Sequence, residues 1–349
     1  MPTLSRFAGS SKSIPTSTAW LLADLGEAKG RQDLFAQQAP QRLKALREHA
    51  LIESAVSSNR IEGVEIDPGR VGTVIFGKPL LKDRNEEEIH GYREALRWIH
   101  RDAARIPVTT ETMRKLHGLV RAGSGDAGEF KARDGDIIER YPDGSERVRF
   151  RTVPAKQTSQ AIDALVRDWA RCLDEKWVHP LVALAAFNLD FLCIHPFRDG
   201  NGRVSRLLLL LGSYHLGLEV GRYISLERLI EQNRERYYET LEESSRSWHE
   251  GRHDPWPYTN YLLFILKTAY KEFEKRVGQV KLPRGAKTER IEAAIREARG
   301  AFRISELQRQ CPGVSVDLVR RTLKRMRREG AVECLGRGPR AQWRKTERG

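Results

Sequence analysis

Cysteine and methionine are scarce in this chain, with four and three copies in 349 residues. Cys172, Cys193, Cys311 and Cys334 stand far apart, without the paired spacing of a zinc site or the density of a disulfide scaffold. That argues against a secreted, cross-linked fold and fits a reducing cytoplasm, with Cys172 and Cys193 reading as small buried hydrophobes. Long apolar runs are also missing. A stretch such as Leu207–Leu211 falls far short of the roughly 20 residues a membrane helix needs, so no membrane partner is expected. No charged-then-apolar leader precedes the first helix, because Phe7–Pro15 is mostly Ser, Gly and Lys. No internal repeat is evident. Acidic residues do not keep pace with basic ones toward the end: from Lys281 to Gly349, 19 Lys and Arg face 8 Asp and Glu, so this tail carries most of the net charge of +14. Such asymmetry points to a polyanionic partner for the C-terminal part. The length suffices for two or three domains with a full core.

What is present concentrates in a dozen residues, His195-Pro-Phe-Arg-Asp-Gly-Asn-Gly-Arg-Val-Ser-Arg206. An apolar helical run, Leu181–Cys193, leads in, and a second helix from Gly202 to about Leu216 leads out. The loop therefore sits at a helix N-terminus, where unpaired amides and the positive dipole end attract anions. Gly200 and Gly202 flank Asn201 and let the backbone approach a ligand closely. Arg203 and Arg206 share a helix face and can grip phosphate oxygens. Asp199 is the one carboxylate of the dozen, and its natural partner beside phosphates is Mg²⁺. His195 can accept a hydroxyl proton near neutral pH. The set suits phosphoryl or nucleotidyl transfer.

This string resembles the Fic-domain signature, His-x-Phe-x-(Asp/Glu)-Gly-Asn-Gly-Arg-x-x-Arg, at every specified position. The segment Ser57-Ser58-Asn59-Arg60-Ile61-Glu62-Gly63 looks like the family's inhibitory helix, (Ser/Thr)-x-x-x-Glu-(Gly/Asn), placed ahead of the core. Arg236-Tyr237-Tyr238-x-x-Leu241 and Trp256 look like the helices that follow it. The resemblance covers about residues 20 to 270. It implies transfer of AMP from ATP to a Ser, Thr or Tyr hydroxyl of a target protein. By position, His195 would deprotonate that hydroxyl and Asp199 would hold Mg²⁺. Gly200, Asn201 and Gly202 would cradle the α- and β-phosphates with Arg203 assisting, Arg206 would hold the γ-phosphate, and Arg198 counts among the ATP-binding positions. Phe197 would anchor the loop in the core. Glu62, on one helix face with Ser58 and followed by a helix-ending Gly63, would pair with Arg206 and block the γ-phosphate's partner. In some relatives the same Glu positions a water that removes AMP, so de-AMPylation is an alternative. A nucleotide-sensing, DNA-binding regulator is another.

Ahead of the dozen, Val148 and Phe150 alternate with Arg149 and Arg151 like a strand, and Tyr141-Pro142-Asp143-Gly144 signals a turn. The expected β-hairpin resembles the Fic flap, whose edge can register an extended target segment. Lys131 departs from the pattern, since the family often has Arg there. The expected fold is mainly α. It comprises a helical N-terminal region (1–100) with the inhibitory helix at about 51–63, a helical Fic core with its flap (101–280), and a small α+β winged helix-turn-helix (286–349).

In that last module, Lys281–Ala286 reads as a linker, Glu289–Arg299 as a helix, Phe302-Arg303-Ile304 as a strand, and Ser305 as the cap of a helix to Cys311. Pro312-Gly313 makes a turn before a recognition-type helix, Ser315–Glu329, with Val319, Leu323 and Met326 inward. Two strands, Ala331–Leu335 and Ala341–Trp343, would bracket a wing tip at Arg337–Arg340. Arg320, Arg321, Lys324, Arg325, Arg337 and Arg340 are candidate contacts to double-stranded DNA. A homodimer is compatible with the sequence.

One motif misleads. His249-Glu-Gly-Arg-His253 matches the zinc-protease pattern, but Gly251 interrupts it, Asp254-Pro255 follows at once, and no later His exists to complete a site. A solvated loop before Trp256 is expected instead. Asn85-Glu86-Glu87-Glu88 starts an acidic helix with Ile89, Tyr92, Ala95, Leu96 and Ile99 inward, which reads as core scaffolding.

Overall fold

The computed structural model describes residues 2–8, 13–36, 40–77, 81–140, 143–278, 286–298, 300–311, 314–336 and 341–346. Its contacts divide the chain into two units, 1–277 and 278–349. The first unit runs α1 (Thr3–Phe7), α2 (Thr16–Ala36), α3 (Pro40–Ile61), α4 (Val71–Phe76), α5 (Arg84–Asp102) and α6 (Thr110–Val120). A hairpin of β1 (Ile137–Arg140) and β2 (Glu146–Phe150) interrupts the helices, as the alternation there requires. Then follow α7 (Ala155–Asp174), α8 (Pro180–Ile194), α9 (Asn201–His215), α10 (Leu226–Gln232), α11 (Arg234–Ser245) and α12 (Trp256–Gly278). The mainly α expectation describes this unit.

The central helix is α8, buried on every side from Leu181 to Ile194, which is why its sequence is apolar all round. Pro180 occupies the first turn, and the His179 side chain accepts a hydrogen bond from the Leu181 amide, so the start is well defined. Helices α7 and α9 pack on α8, and α5 packs on α3, α6 and α9. Each fully buried Leu, Ile or Phe at these contacts contributes roughly 1.5–3 kcal/mol. Asp83 caps α5 by accepting from Glu86 N, and the inward set Ile89, Tyr92, Ala95, Leu96 and Ile99 is buried as the spacing predicts. The expected boundary at 100/101 falls inside α5, and one apolar core runs across it.

Helix α1 is a feature the sequence did not announce. It buries Leu4 and Phe7, and the Thr3 amide (2.7 Å), Thr3 hydroxyl (2.6 Å) and Leu4 amide (3.0 Å) all donate to the Asp190 carboxylate on α8. Trp248 Nε1 donates to it as well, at 2.7 Å. His253 corrects the expectation of a solvated loop: it is buried, with Nε2 2.8 Å from Thr3 Oγ1, and its carbonyl accepts from Arg6. His249 instead lies 2.6 Å from the Arg151 carbonyl and stacks on Phe150. The two imidazoles serve different contacts, and among the described residues no group of three or more metal-ligating side chains occurs. No helix among the described residues is long and apolar enough to cross a membrane.

The second unit contains α13 (Ala286–Glu297), β3 (Phe302–Arg303), α14 (Ile304–Gln310), α15 (Val316–Arg328), β4 (Val332–Cys334) and β5 (Gln342–Lys345). Its antiparallel sheet has the order β3-β5-β4. Ile291, Ile295, Leu307, Val319, Leu323 and Trp343 build its core. Ser315 caps α15 by accepting from Leu318 N, but Ser305 does not cap α14. That helix starts at Ile304, and the Glu306 carboxylate reaches back to Arg303 N at 2.9 Å. Of the linker expected at Lys281–Ala286, residues 281–285 lie outside the described residues and Ala286 begins α13; the turn Pro312-Gly313, and Arg337 and Arg340, also lie outside them.

Candidate active site

The last residue of α8 hands over to His195, whose backbone is left-handed at φ 53° and ψ 62°. Such dihedrals are uncommon for a residue with a Cβ, and strain of this kind concentrates at functional sites. The loop that follows is built as a unit. Phe197 is fully buried and carries the His117 ring stacked on it, centroids 3.8 Å apart and planes 2° from parallel. Asn201 Oδ1 accepts from Phe197 N (2.9 Å) while its Nδ2 donates to Phe197 O (2.8 Å). The Asn201 side chain is therefore occupied in closing the loop. Of the phosphate cradle expected there, residue 201 can offer only its backbone amide at the N-terminus of α9.

Gly128 N donates to His117 Nδ1 (2.9 Å), which leaves the proton on Nε2 to reach the Asp199 carbonyl at 3.0 Å. Burial lowers the His117 pKa to about 4, so this ring is neutral in ordinary buffers. Gly200 has φ 82°, and a Cβ there would press on His117 and Arg121 at 3.4 Å. Only glycine fits without strain.

His195 is half-buried. Burial, and next the charge of Lys131, lower its pKa to about 4, so the ring is unprotonated at neutral pH. Its Nδ1 lies 3.3 Å from the Leu192 carbonyl. In the neutral ring that contact places the proton on Nδ1 and leaves Nε2 as the basic nitrogen.

Asp199 is surrounded by guanidiniums. Its Oδ2 accepts from Arg121 Nη1 at 2.7 Å, and Arg203 and Arg84 stand 3.5 and 3.6 Å away. Gly200 N donates to its Oδ1 at 2.6 Å. Behind it lies buried Glu88, which accepts from Arg121 (2.6 Å), Arg84 (2.9 Å) and Arg203. Sequence reasoning assigned Glu88 to a scaffolding helix and passed over Arg121 and His117. A signal existed: Glu88 lies four residues before Tyr92, on the buried stripe of α5, where a carboxylate is costly unless paired. Arg203 is engaged by this network through Nη1, which also lies 3.3 Å from Asn59 Oδ1 on α3, while its Nε has no hydrogen-bond partner among the described residues. It thus acts on the loop and Asp199 first. Arg198 is exposed beside Asp199.

Arg206, the partner of Arg203 on the helix face, turns the other way. It is buried, its Nε donates to Ser58 Oγ (2.9 Å), and its Nη2 donates to Ser58 O (2.9 Å) and Glu62 Oε1 (2.8 Å). Its Nη1 has no hydrogen-bond partner among the described residues. Glu62 stands one residue past the end of α3, and Gly63 takes the left-handed turn at φ 80°. A Cβ on Gly202 would strike the Glu62 carboxylate. The carboxylate therefore sits over the first turn of α9, the place where an anion gains most from the helix dipole.

The open space beside it is a cleft of about 240 Å³ lined by Glu62, Gly202, His195, Tyr238, Phe150 and Ile137. The last two belong to the hairpin, so the flap borders the site. Arg149 on β2 ties it to α11 through the Tyr238 carbonyl (2.7 Å) and Glu242 (3.1 Å). Ile138 and Val148, paired across the strands, are exposed. Of the turn, Tyr141 and Pro142 lie outside the described residues.

A family model described as the Fic/DOC family matches residues 107–211, which include α6, the hairpin, α8 and the loop at the start of α9. The protein adenylyltransferase Fic of Nematostella vectensis is 24% identical over 173 residues, 48% of this chain and 38% of that protein. The chain thus spans well under half of that relative's length. A Fic family protein from Desulfovibrio desulfuricans G20 has a similar structure, with a TM-score of 0.61 and 24% identity over 97% of this chain and 98% of that one. A Fic domain containing signaling protein from Bacteroides thetaiotaomicron VPI-5482 gives a TM-score of 0.61 at 20% identity over 73% of this chain and 97% of that one. At these identities the structural likeness speaks for the fold. Signature loop, matching family model and shared fold together identify a Fic domain in this chain.

Proposed function

We propose that this chain transfers AMP from ATP to a Ser, Thr or Tyr hydroxyl of a protein, itself among the acceptors, and that Glu62 holds the reaction in check. One observation carries the reading: the Glu62 carboxylate lies 2.8 Å from buried Arg206 and directly over Gly202, where the end of a triphosphate would otherwise lie. The unpartnered Nη1 of Arg206 supports the presence of an anion site there. His195 Nε2 accepts the acceptor's hydroxyl proton, the oxygen attacks the α-phosphorus, and pyrophosphate leaves as the α–β anhydride bond breaks. The amides of residues 201–203 and the Arg206 fork neutralise charge on the phosphates. Asp199 is half-exposed although Arg121 pairs with it at 2.7 Å, and a single carboxylate suits Mg²⁺, which uses few protein ligands and keeps phosphates and waters around it. Asp199 would hold that ion, whose charge offsets that of the triphosphate. The name of the Nematostella relative, an adenylyltransferase, points the same way.

A second reading has its own support. Glu62 and His195 line one cleft, so the same pair could direct water at an AMP already on a protein. For the second unit we propose a winged helix-turn-helix that binds DNA. Arg320, Arg321, Lys324 and Arg325 project exposed from α15, while Val319, Leu323 and Met326 face its core.

Labelled ATP separates these readings. The Glu62→Gly variant incubated with a cell lysate should place label from the α-phosphate, and none from the γ-phosphate, on protein. Adding His195→Ala should abolish it. Label arriving from the γ-position, or persisting without His195, would overturn the assignment.

A further inference from the structure

Lys131 stands ahead of the flap, outside the signature loop, and its surroundings give it a task. The segment just before the flap runs against the turn after α8. Lys131 N donates to Pro196 O at 2.9 Å, and Lys131 Nζ donates to Ile194 O at 3.2 Å. One residue thus holds the carbonyls on both sides of His195. Nζ also donates to Thr152 Oγ1 (2.7 Å), whose hydroxyl in turn donates to Gly135 O (2.6 Å). That second contact fixes the ammonium from the segment that follows β2. Lys131 is 7% exposed, an unusual place for a flexible cation unless its donors are engaged.

Ile194 O is the last carbonyl of α8, an acceptor that the left-handed His195 cannot satisfy by continuing the helix. A cation there also opposes the negative end of the helix dipole. The same charge acts on the imidazole through space. Glu62, beyond α3, and Asp199, in the loop, favour a protonated His195, whereas burial and Lys131 disfavour it. Lys131 in turn is offset by Asp134 and Asp136, and burial lowers its own pKa to about 8.

We propose that Lys131 is a positioning residue for His195: its backbone amide and its ammonium pin, from both sides, the left-handed turn from which the imidazole reaches the cleft. This rests on His195 being the base of the proposed transfer. A lysine here serves as a point charge on a carbonyl, a task an arginine can also perform but a neutral side chain cannot.

The test uses the full chain carrying Glu62→Gly, with Lys131 intact, Lys131→Met and Lys131→Arg. Two readouts are followed: His195 ring titration by nitrogen NMR, and the pH dependence of kcat for AMP transfer. Lys131→Met should raise the His195 pKa by about one unit or more and move the acid limb of the rate profile upward by the same amount. It should lower kcat roughly tenfold at neutral pH with KM for ATP little changed, and Lys131→Arg should restore all three. If Lys131→Met does not fold, Lys131→Gln takes its place in the same readouts. A folded neutral variant with an unmoved imidazole titration would overturn the proposal. If transfer survives His195→Ala, the base assignment fails, and the NMR titration still decides whether Lys131 acts on the ring.

Discussion

Glu88→Ala offers the sharpest energetic prediction. It leaves Arg121 and Arg203, 5% and 1% exposed, without the carboxylate they share, while Asp199 remains only at the rim. Removing one member of a buried ion cluster typically costs about 3–5 kcal/mol, because the remaining charges stay desolvated. In a unit of this size each kcal/mol lowers Tm by roughly 2–4 °C, so a fall of roughly 6–20 °C is expected. Glu88→Gln keeps one acceptor oxygen and should cost less. Combining Glu88→Leu with Arg121→Met and Arg203→Met should recover part of the loss, since an apolar cluster has no charge to desolvate. Tryptophan fluorescence during heating reports on the correct unit, because six of the seven tryptophans lie in residues 1–277. A Glu88→Ala protein melting within 2 °C of the parent, a margin of roughly 1 kcal/mol or less, would refute the view that Glu88 compensates these charges.

Three further outcomes follow from other parts of the molecule. His100, His117 and His195 have pKa values lowered to about 3, 4 and 4, chiefly by burial. Their folded values lie below the unfolded one near 6.5, so stability present above that pH should drain away as pH falls toward 4. A Tm flat across pH 4–6.5 contradicts this. Removing residues 1–7 takes three donors from buried Asp190, whose pKa burial already pushes up. Hydrogen bonds to a charged group contribute about 1.5–3 kcal/mol each, so the truncated protein should show a clearly lower urea midpoint. An unchanged midpoint would show α1 to be passive. Replacing Arg320, Arg321, Lys324 and Arg325 by Ala should weaken binding to random duplex and flatten its salt dependence, as measured by fluorescence anisotropy. Equal slopes for parent and variant would remove α15 from the interface.

Much of the site was legible because its residues are contiguous. Gly200, Gly202, Arg203 and Arg206 declare a backbone geometry and a charge by type and spacing alone, and the apolar α8 ahead of them declares a buried helix. Ser58 and Glu62 were legible only beside that string, since four-residue spacing and a following glycine describe many helix ends. Glu88, Arg121 and His117 were not read as site residues, because their partners are distant in sequence and a paired charge on a buried stripe resembles an ordinary helix residue. The loop-closing task of the Asn201 side chain was not read for a related reason: side-chain amides close loops as readily as they bind ligands. The role of His253 and the docking of α1 depend on Asp190, an acid inside an apolar helix whose partners lie some 60 and 190 residues away.

The central claim is that the Glu62 carboxylate fills the anion site of Arg206, and initial rates of AMP transfer test it most directly. A charge-assisted pair of this kind is worth about 1.5–3 kcal/mol, or roughly tenfold to a hundredfold in rate. Rates should rise in the order parent, Glu62→Gln, Glu62→Gly, with the last at least about tenfold above the first. Equal rates in all three proteins, each able to bind ATP, would contradict it.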